Sequence, residues 1–145
     1  MGLGDRKKIY LIIFLGLIFT VVFIRFNKGL YLISEEDFLN IEELMITKTT
    51  FGTEGNSPDV KLEKCCVGSS SKEFEEIQLL LKNIMCKRAI KSNVNDDFET
   101  IYRIYLNQDV MKIYDNRWVV FRDRCYIVTD HNFDNVLNEL SYLFI

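Results

Sequence analysis

The sequence is poor in the residues on which most catalytic sites depend. Its 145 residues include one histidine, one proline and one tryptophan. The histidine, His131 in "TDHNFD", would act as a general base only if a nucleophile were presented to it. The serines of "GSSS" (68–71) do not follow the pattern of a nucleophile elbow. We therefore interpret His131 as a polar residue in the first turn of a helix, not as a base paired with Asp130 or Asp134.

Motifs that bind phosphate or a metal ion are also missing. The chain has no glycine-rich phosphate loop and no G-x-G-x-x-G sequence. Its cysteines have none of the C-x₂-C spacings typical of zinc sites. Adjacent carboxylates, such as Glu75 and Glu76, are of the kind that normally face solvent. We therefore predict that the protein is not an enzyme and uses no cofactor, no metal ion and no small-molecule substrate.

An excess of positive charge is absent too. The chain has 18 Lys and Arg against 21 Asp and Glu, a net charge of −3. From residue 26 onward the sequence has 14 basic and 20 acidic residues, a net charge of −6. Nucleic acid and an anionic membrane surface are therefore not expected as partners. The acidic balance favours either a basic protein partner or solubility alone.

The longest feature present is an uncharged apolar run. Residues 9–24 read "IYLIIFLGLIFTVVFI", between Lys8 and Arg25. As a helix at ~1.5 Å per residue this run covers about 24 Å, against ~30 Å of membrane hydrocarbon. Phe26 lengthens it, and the two flanking cations can extend towards the headgroups. No A-x-A-like cleavage site follows, so we predict an uncleaved transmembrane anchor over 9–26.

Flanking charges predict the orientation of this anchor. Arg6, Lys7 and Lys8 precede the run, whereas Arg25 and Lys28 follow it. The positive-inside rule then places the N-terminus in the cytoplasm. We predict four parts: 1–8 as a cytoplasmic tail, 9–26 as the anchor, 27–40 as a tether, and 41–145 as an extracytoplasmic, periplasmic domain of a single-pass inner-membrane protein.

The exported part alternates short β-rich runs with two amphipathic stretches. The runs are 41–51, 60–66, 98–106, 110–114, 117–121 and 124–128, with an extended segment at 85–92 and a loop at 52–59. A helix is predicted over 71–85, because Ser70 and Glu73 match a capping box. A second helix is predicted to follow an N-cap at Thr129 or Asp130. This order indicates an α+β fold: a small antiparallel sheet (meander) with two helices on one face and the other face partly open.

Four cysteines in an exported domain indicate disulfide bonds. Cys65 and Cys66 are neighbours on a predicted strand, so their side chains point to opposite faces and do not bridge each other. Two pairings remain: Cys65–Cys86 with Cys66–Cys125, or Cys65–Cys125 with Cys66–Cys86. Either would fasten the 71–85 helix to the sheet, and the alternative is one bridge with two buried thiols.

The segment "DNRWVVFRDRCY" (115–126) holds the candidate partner-binding residues. It places Trp118 among Arg117, Arg122 and Arg124. Tryptophan and arginine are enriched at the centres of protein interfaces. The competing interpretation is that Trp118 belongs to the core and that the arginines pair with nearby acids.

The basic "DRKK" segment, the anchor, the small α+β domain and the four cysteines together resemble single-anchor bacteriocin immunity proteins of the Gram-negative periplasm, the colicin M and pesticin immunity type. The resemblance implies a plasmid-borne protein that binds an incoming toxin at the outer face of the inner membrane and blocks its attack on the cell wall. The alternative is an anchored assembly subunit of an envelope, secretion or viral entry complex. An anchored thiol oxidoreductase is disfavoured because there is no C-x-x-C.

Overall fold

The computed structural model of the chain describes residues 3–54, 57–91 and 93–145, with side chains for 6–52, 59–91 and 93–145. Its first element, helix α1, extends over Leu3–Asn27. The Arg6–Asn27 part is 22 residues long and apolar enough to cross a membrane, and none of its most apolar window is buried by the rest of the chain. Such exposure suits a helix surrounded by lipid.

The remaining chain forms one eight-stranded antiparallel sheet with helices on one face, which confirms the predicted α+β class. The strands are β1 (Leu30–Tyr31), β2 (Glu43–Glu54), β3 (Ser57–Gly68), β4 (Met85–Arg88), β5 (Thr100–Leu106), β6 (Asp109–Tyr114), β7 (Trp118–Phe121) and β8 (Arg124–Val128). The helices are a 3-10 turn (Glu35–Phe38), α2 (Lys72–Lys82) and α3 (Phe133–Tyr142). In space the strands follow the order β1-β4-β8-β7-β6-β5-β2-β3.

Both helices begin slightly later than the sequence predicts. The N-cap of α2 is Ser71, not Ser70, and its hydroxyl accepts a hydrogen bond from the Phe74 amide at 3.1 Å. Helix α3 begins at Phe133 after Asn132, which has no side-chain cap bond. The Asp130 carboxylate instead accepts from the Asn132 amide at 2.9 Å. The polar residues predicted as caps therefore form the turns just before the helices.

The main core lies between the helices and one face of the sheet, called here the helix face. Buried side chains alternate along the central strands because successive residues of a strand point to opposite faces. Those on the helix face are Leu44, Ile46, Tyr102, Ile104, Leu106, Met111, Ile113, Val119, Phe121, Tyr126 and Val128. They pack against the inward stripes of α2 and α3, such as Ile77 and Phe133.

The opposite face of the sheet is partly covered by the segment that connects β4 to β5, called here segment 89–99, of which residues 89–91 and 93–99 are described. Its Ala89, Val94 and Phe98 pack with Trp118 and Tyr114 into a second, smaller core. Two asparagine contacts hold the segment: the Asn116 amide donates to the Asn95 carbonyl at 3.2 Å and to the Asp97 carboxylate at 2.8 Å. Beyond this cover, the β3 side chains on this face, such as Leu62 and Cys66, are exposed, whereas Thr47 and Thr49 of β2 are buried.

The segment predicted as a tether, 27–40, is part of the folded domain. Only Lys28 and Gly29 lie between α1 and β1, and β1 pairs with β4 in the sheet. Farther on, Ile33 and Phe38 are buried in the main core. The apolar positions of this segment explain the difference, since they pack on the helix face rather than remain in solvent.

The loop predicted at 52–59 is largely a β-hairpin. Strand β2 continues to Glu54 and β3 begins at Ser57, and positions 55–56 lie outside the described residues. Pro58 belongs to β3 and is paired with Thr53 of β2. Because β3 is an edge strand, a proline there does not remove a hydrogen bond from the middle of a sheet.

Candidate functional site

The sheet separates the four cysteines, so the disulfides predicted from the sequence are not formed. Among the described residues, Cys65, Cys66 and Cys86 are free thiols. Strand β3, with the first two, is five or six strand positions from β8 and β4, a separation on the order of 25 Å at ~4.8 Å per strand. A disulfide requires Cα atoms within about 7 Å. Cys86 and Cys125 are on neighbouring strands but face opposite sides.

Three of these cysteines have thiols that burial keeps protonated. Burial raises the pKa of Cys86, which is fully buried in the main core, to about 12. Burial also raises the pKa of the half-buried Cys65 and Cys125. Cys66 is exposed on the face of the sheet opposite the helices, whereas Cys65 packs against the main core. The side chains of Cys65 and Cys66 therefore point to opposite faces, as predicted. Raised thiol pKa values do not fit a redox site, which needs an accessible thiolate.

The candidate binding residues of segment 115–126 do not share one surface. Trp118 is only 6% exposed, beneath segment 89–99. The Arg117 guanidinium lies over the Phe133 ring at 5.2 Å and donates to the backbone carbonyls of Val128 and Asp130. Both residues therefore hold the fold together, and the prediction that they form a binding surface is corrected.

The other two arginines of this segment lie apart from Trp118. Arg122 donates to Asp109 at 2.9 Å and to Asp37 at 2.6 Å, and the hydrogen bond to Asp109 is the main cause that raises the pKa of Arg122. Its guanidinium also lies 4.6 Å from the centre of the Phe121 ring. Arg124 is exposed on β8. The competing interpretation, a core tryptophan with acid-paired arginines, therefore describes Trp118 and Arg122.

A groove lies between α2 and α3 on the helix face of the sheet. It encloses about 730 Å³, the volume of a typical ligand or side-chain cleft. Its floor contains the buried side chains Ile77, Ile84 and Val136. The groove is also lined by two exposed apolar side chains, Leu79 of α2 (61% exposed) and Tyr142 of α3 (67% exposed).

The charged groups that line this groove are all acidic. They are Glu73 and Glu76 of α2, Asp130 before α3, and Glu139 of α3. The Glu76 carboxylate lies 3.0 Å from the ammonium group of Lys72, one helical turn earlier. Lys72 itself does not line the groove. An apolar floor between acidic rims favours an apolar ligand that carries positive charge.

Sequence reasoning did not find the groove. The periodicity of α2 and α3 predicted their inward stripes but not the distance between the two helices. The available signal was that Leu79 and Tyr142 are large apolar residues outside those stripes.

No catalytic or metal constellation appears among the described residues. No group of three His, Cys, Asp or Glu side chains in that part of the chain is arranged to hold a metal ion. His131 is exposed just before α3.

Comparison with known proteins leaves the structure to be interpreted from its own geometry. No protein-family model matches the sequence, no curated protein matches it, and no solved structure matches the fold.

Proposed function

We propose that this chain is a membrane-anchored binding protein of the bacteriocin immunity kind, which neutralises a cell-wall-targeting toxin by direct binding outside the inner membrane. The observation that carries the proposal is the acidic-rimmed apolar groove between α2 and α3, on a domain joined to a membrane-length helix. Together these features support a receptor surface held close to a bilayer.

The groove favours a particular kind of protein segment as its ligand. Grooves between helices commonly receive the apolar face of an amphipathic helix, whose side chains fill the floor. Here Leu79 and Tyr142 extend the apolar surface beyond the floor. The rim acids Glu73 and Glu139 would select a ligand helix flanked by Lys or Arg. We therefore propose a basic, amphipathic segment of the toxin as the bound element.

The short link to α1 adds a positional argument. Because only Lys28 and Gly29 lie between the helix and the sheet, insertion of α1 into a membrane would hold the domain at the membrane surface. A toxin that attacks peptidoglycan or its lipid-linked precursor must pass or act there. The cations Arg6, Lys7 and Lys8 before the helix favour the orientation with the domain outside.

Protection of living cells tests this function. We expect that expression of the full chain protects a sensitive strain against the toxin encoded beside its gene, and that toxin uptake is unchanged. A chain that ends after residue 29 keeps the anchor but loses the groove, and should give no protection. Protection by that truncated chain, or none against any neighbouring toxin, would contradict the proposal.

A second function, as an assembly subunit of an envelope complex, is favoured by the edge of the sheet. In the described part of the chain β3 pairs with β2 alone, and its Leu62 is 68% exposed beside the exposed Val60. A long, open edge of this kind can accept a strand from another protein. If substitution of Leu62 abolishes the binding of a partner protein and substitution of Leu79 does not, the result would support this second function.

A further inference from the structure

A smaller pocket lies where α1 meets the sheet. It encloses about 250 Å³ and is formed by the end of α1 on one side and by β4 with the residues after it on the other. Phe26 and Asn27 contribute the helix side, and Lys87, Arg88 and Lys91 contribute the opposite side. Trp118 and Ile127 of the second core also line the pocket.

The end of α1 contacts β4, and two hydrogen bonds within the helix close its last turn. The Asn27 side chain donates to the Phe23 carbonyl, and the Lys28 amide donates to the Ile24 carbonyl, each at 2.9 Å. The next residue, Gly29, passes so close to β4 that a Cβ atom there would lie 2.8 Å from the sulfur of Met85. The pocket therefore lies where the chain passes closely from the last turn of α1 to β4.

The helix also determines the depth of the pocket in the membrane. At ~1.5 Å per residue, 22 helical residues cover about 33 Å, slightly more than the ~30 Å of hydrocarbon. A pocket built on Phe26 and Asn27 thus opens at the level of the lipid headgroups. Ile90 beside it is 87% exposed, between Arg88 and Lys91. An exposed apolar side chain flanked by cations is typical of a segment that rests in a membrane interface.

The charge of the pocket is opposite to that of the domain as a whole. Of the described residues that line it, the charged ones are Lys87, Arg88 and Lys91, all cationic. Arg25 and Lys28 lie at the same end of α1. Arginine and lysine are the side chains that bind phosphate groups most strongly, and basic pockets beside transmembrane helices receive anionic lipid headgroups. The net charge of −6 from residue 26 onward is therefore unevenly distributed, with cations at this pocket and acids along the α2–α3 groove.

We propose that this juxtamembrane pocket binds the phosphate headgroup of an anionic phospholipid from the bilayer that α1 spans. The headgroup phosphate lies among Lys87, Arg88 and Lys91, and Ile90 enters the interface beside it. The bound lipid holds the domain in one orientation on the membrane, with the α2–α3 groove on a separate part of the structure. This binding does not depend on the identity of the groove's partner.

Lipid retention by the full chain tests the pocket. The protein is placed in nanodiscs of phosphatidylcholine mixed with phosphatidylglycerol, and native mass spectrometry counts the lipids that remain bound. We expect preferential retention of phosphatidylglycerol. In the triple variant Lys87→Gln, Arg88→Gln, Lys91→Gln, the preference for phosphatidylglycerol over phosphatidylcholine should fall. We expect a decrease of about 5-fold for each cation removed, on the order of 100-fold in all.

Two control variants separate charge from folding. The variant Lys61→Gln, Lys64→Gln, Lys72→Gln removes the same charge from exposed positions on β3 and α2, and should retain phosphatidylglycerol as the natural chain does. The variant Lys87→Arg, Arg88→Lys, Lys91→Arg keeps the charge of the pocket and should do the same. Equal losses in all three variants, or equal retention of the two lipids by the natural chain, would overturn the proposal.

Inorganic phosphate distinguishes a lipid site from a site for free phosphate. Phosphate added at millimolar concentration should leave the retained phosphatidylglycerol in place, because the acyl chains hold the lipid at the helix. Complete displacement of the lipid by phosphate would overturn the assignment to the membrane and identify a soluble anion as the ligand.

Discussion

Reversing two charges on the rim of the groove is expected to weaken toxin binding by at least about 100-fold. The variant is Glu73→Lys with Glu139→Lys, one residue on each helix. Each new lysine would face the basic flank of the bound segment, and like charges brought together in an interface cost several kcal/mol. Isothermal titration calorimetry with the full chain in detergent and the toxin identified by the protection assay gives the change in Kd.

The chain offers a matched control for this variant. Glu75→Lys with Asp134→Lys makes the same change of charge in the first turns of the same two helices, at exposed positions outside the groove. Its affinity for the toxin should stay within about threefold of the natural chain. If the control weakens binding as much as the groove variant, net charge rather than the groove accounts for recognition. If neither weakens it, the toxin binds elsewhere.

Phe133→Ala is expected to lower the free energy of unfolding by about 3–5 kcal/mol, the usual range for a buried phenylalanine. Phe133 is the first residue of α3, is fully buried, and lies beneath the Arg117 guanidinium. Its removal leaves a cavity in the main core and deprives Arg117 of its stacking partner. For a domain of roughly 100 residues, this loss corresponds to a fall in Tm of about 12 °C or more.

Trp118 provides the signal for this measurement, because it is the one tryptophan in the chain and is buried. Its fluorescence is followed through thermal unfolding of the full chain in detergent. Leu79→Ala is the control, since Leu79 is exposed, and its effect should stay within about 0.5 kcal/mol. Similar Tm values for the Phe133 variant and the natural chain would mean that α3 does not pack on the sheet.

Local sequence patterns predicted the elements of this fold well. The runs 98–106, 110–114, 117–121 and 124–128 correspond closely to β5, β6, β7 and β8. They were recognisable because alternation and turn residues act within a few positions of each other. The membrane-length helix was evident for a similar reason, since a long uncharged apolar run between cations is typical of a helix that crosses a bilayer.

Features that depend on the order of the strands were not predictable from local patterns. Helix α2 crosses one face of the sheet and segment 89–99 crosses the other, so β4 lies far from β3. This arrangement keeps Cys86 away from Cys65 and Cys66. It also buries Trp118 beneath a segment that has no periodicity to reveal it.

The candidate sites depend on the same long-range geometry. The groove exists because α2 and α3 leave a gap between them on the helix face. The basic pocket exists because the end of α1 meets β4, to which β1 ties it. Neither distance is encoded in the spacing of residues along one element.

The most direct test of the central claim, a binding domain anchored on the outer side of the inner membrane, is the labelling of Cys66 in intact cells. Cys66 is exposed, whereas Cys86 is fully buried. After permeabilisation of the outer membrane and treatment with an impermeant reductant, an impermeant maleimide should label the natural chain, and Cys66→Ser should remove most of this label. Labelling that appears only after the inner membrane is lysed would place the domain in the cytoplasm and contradict this claim.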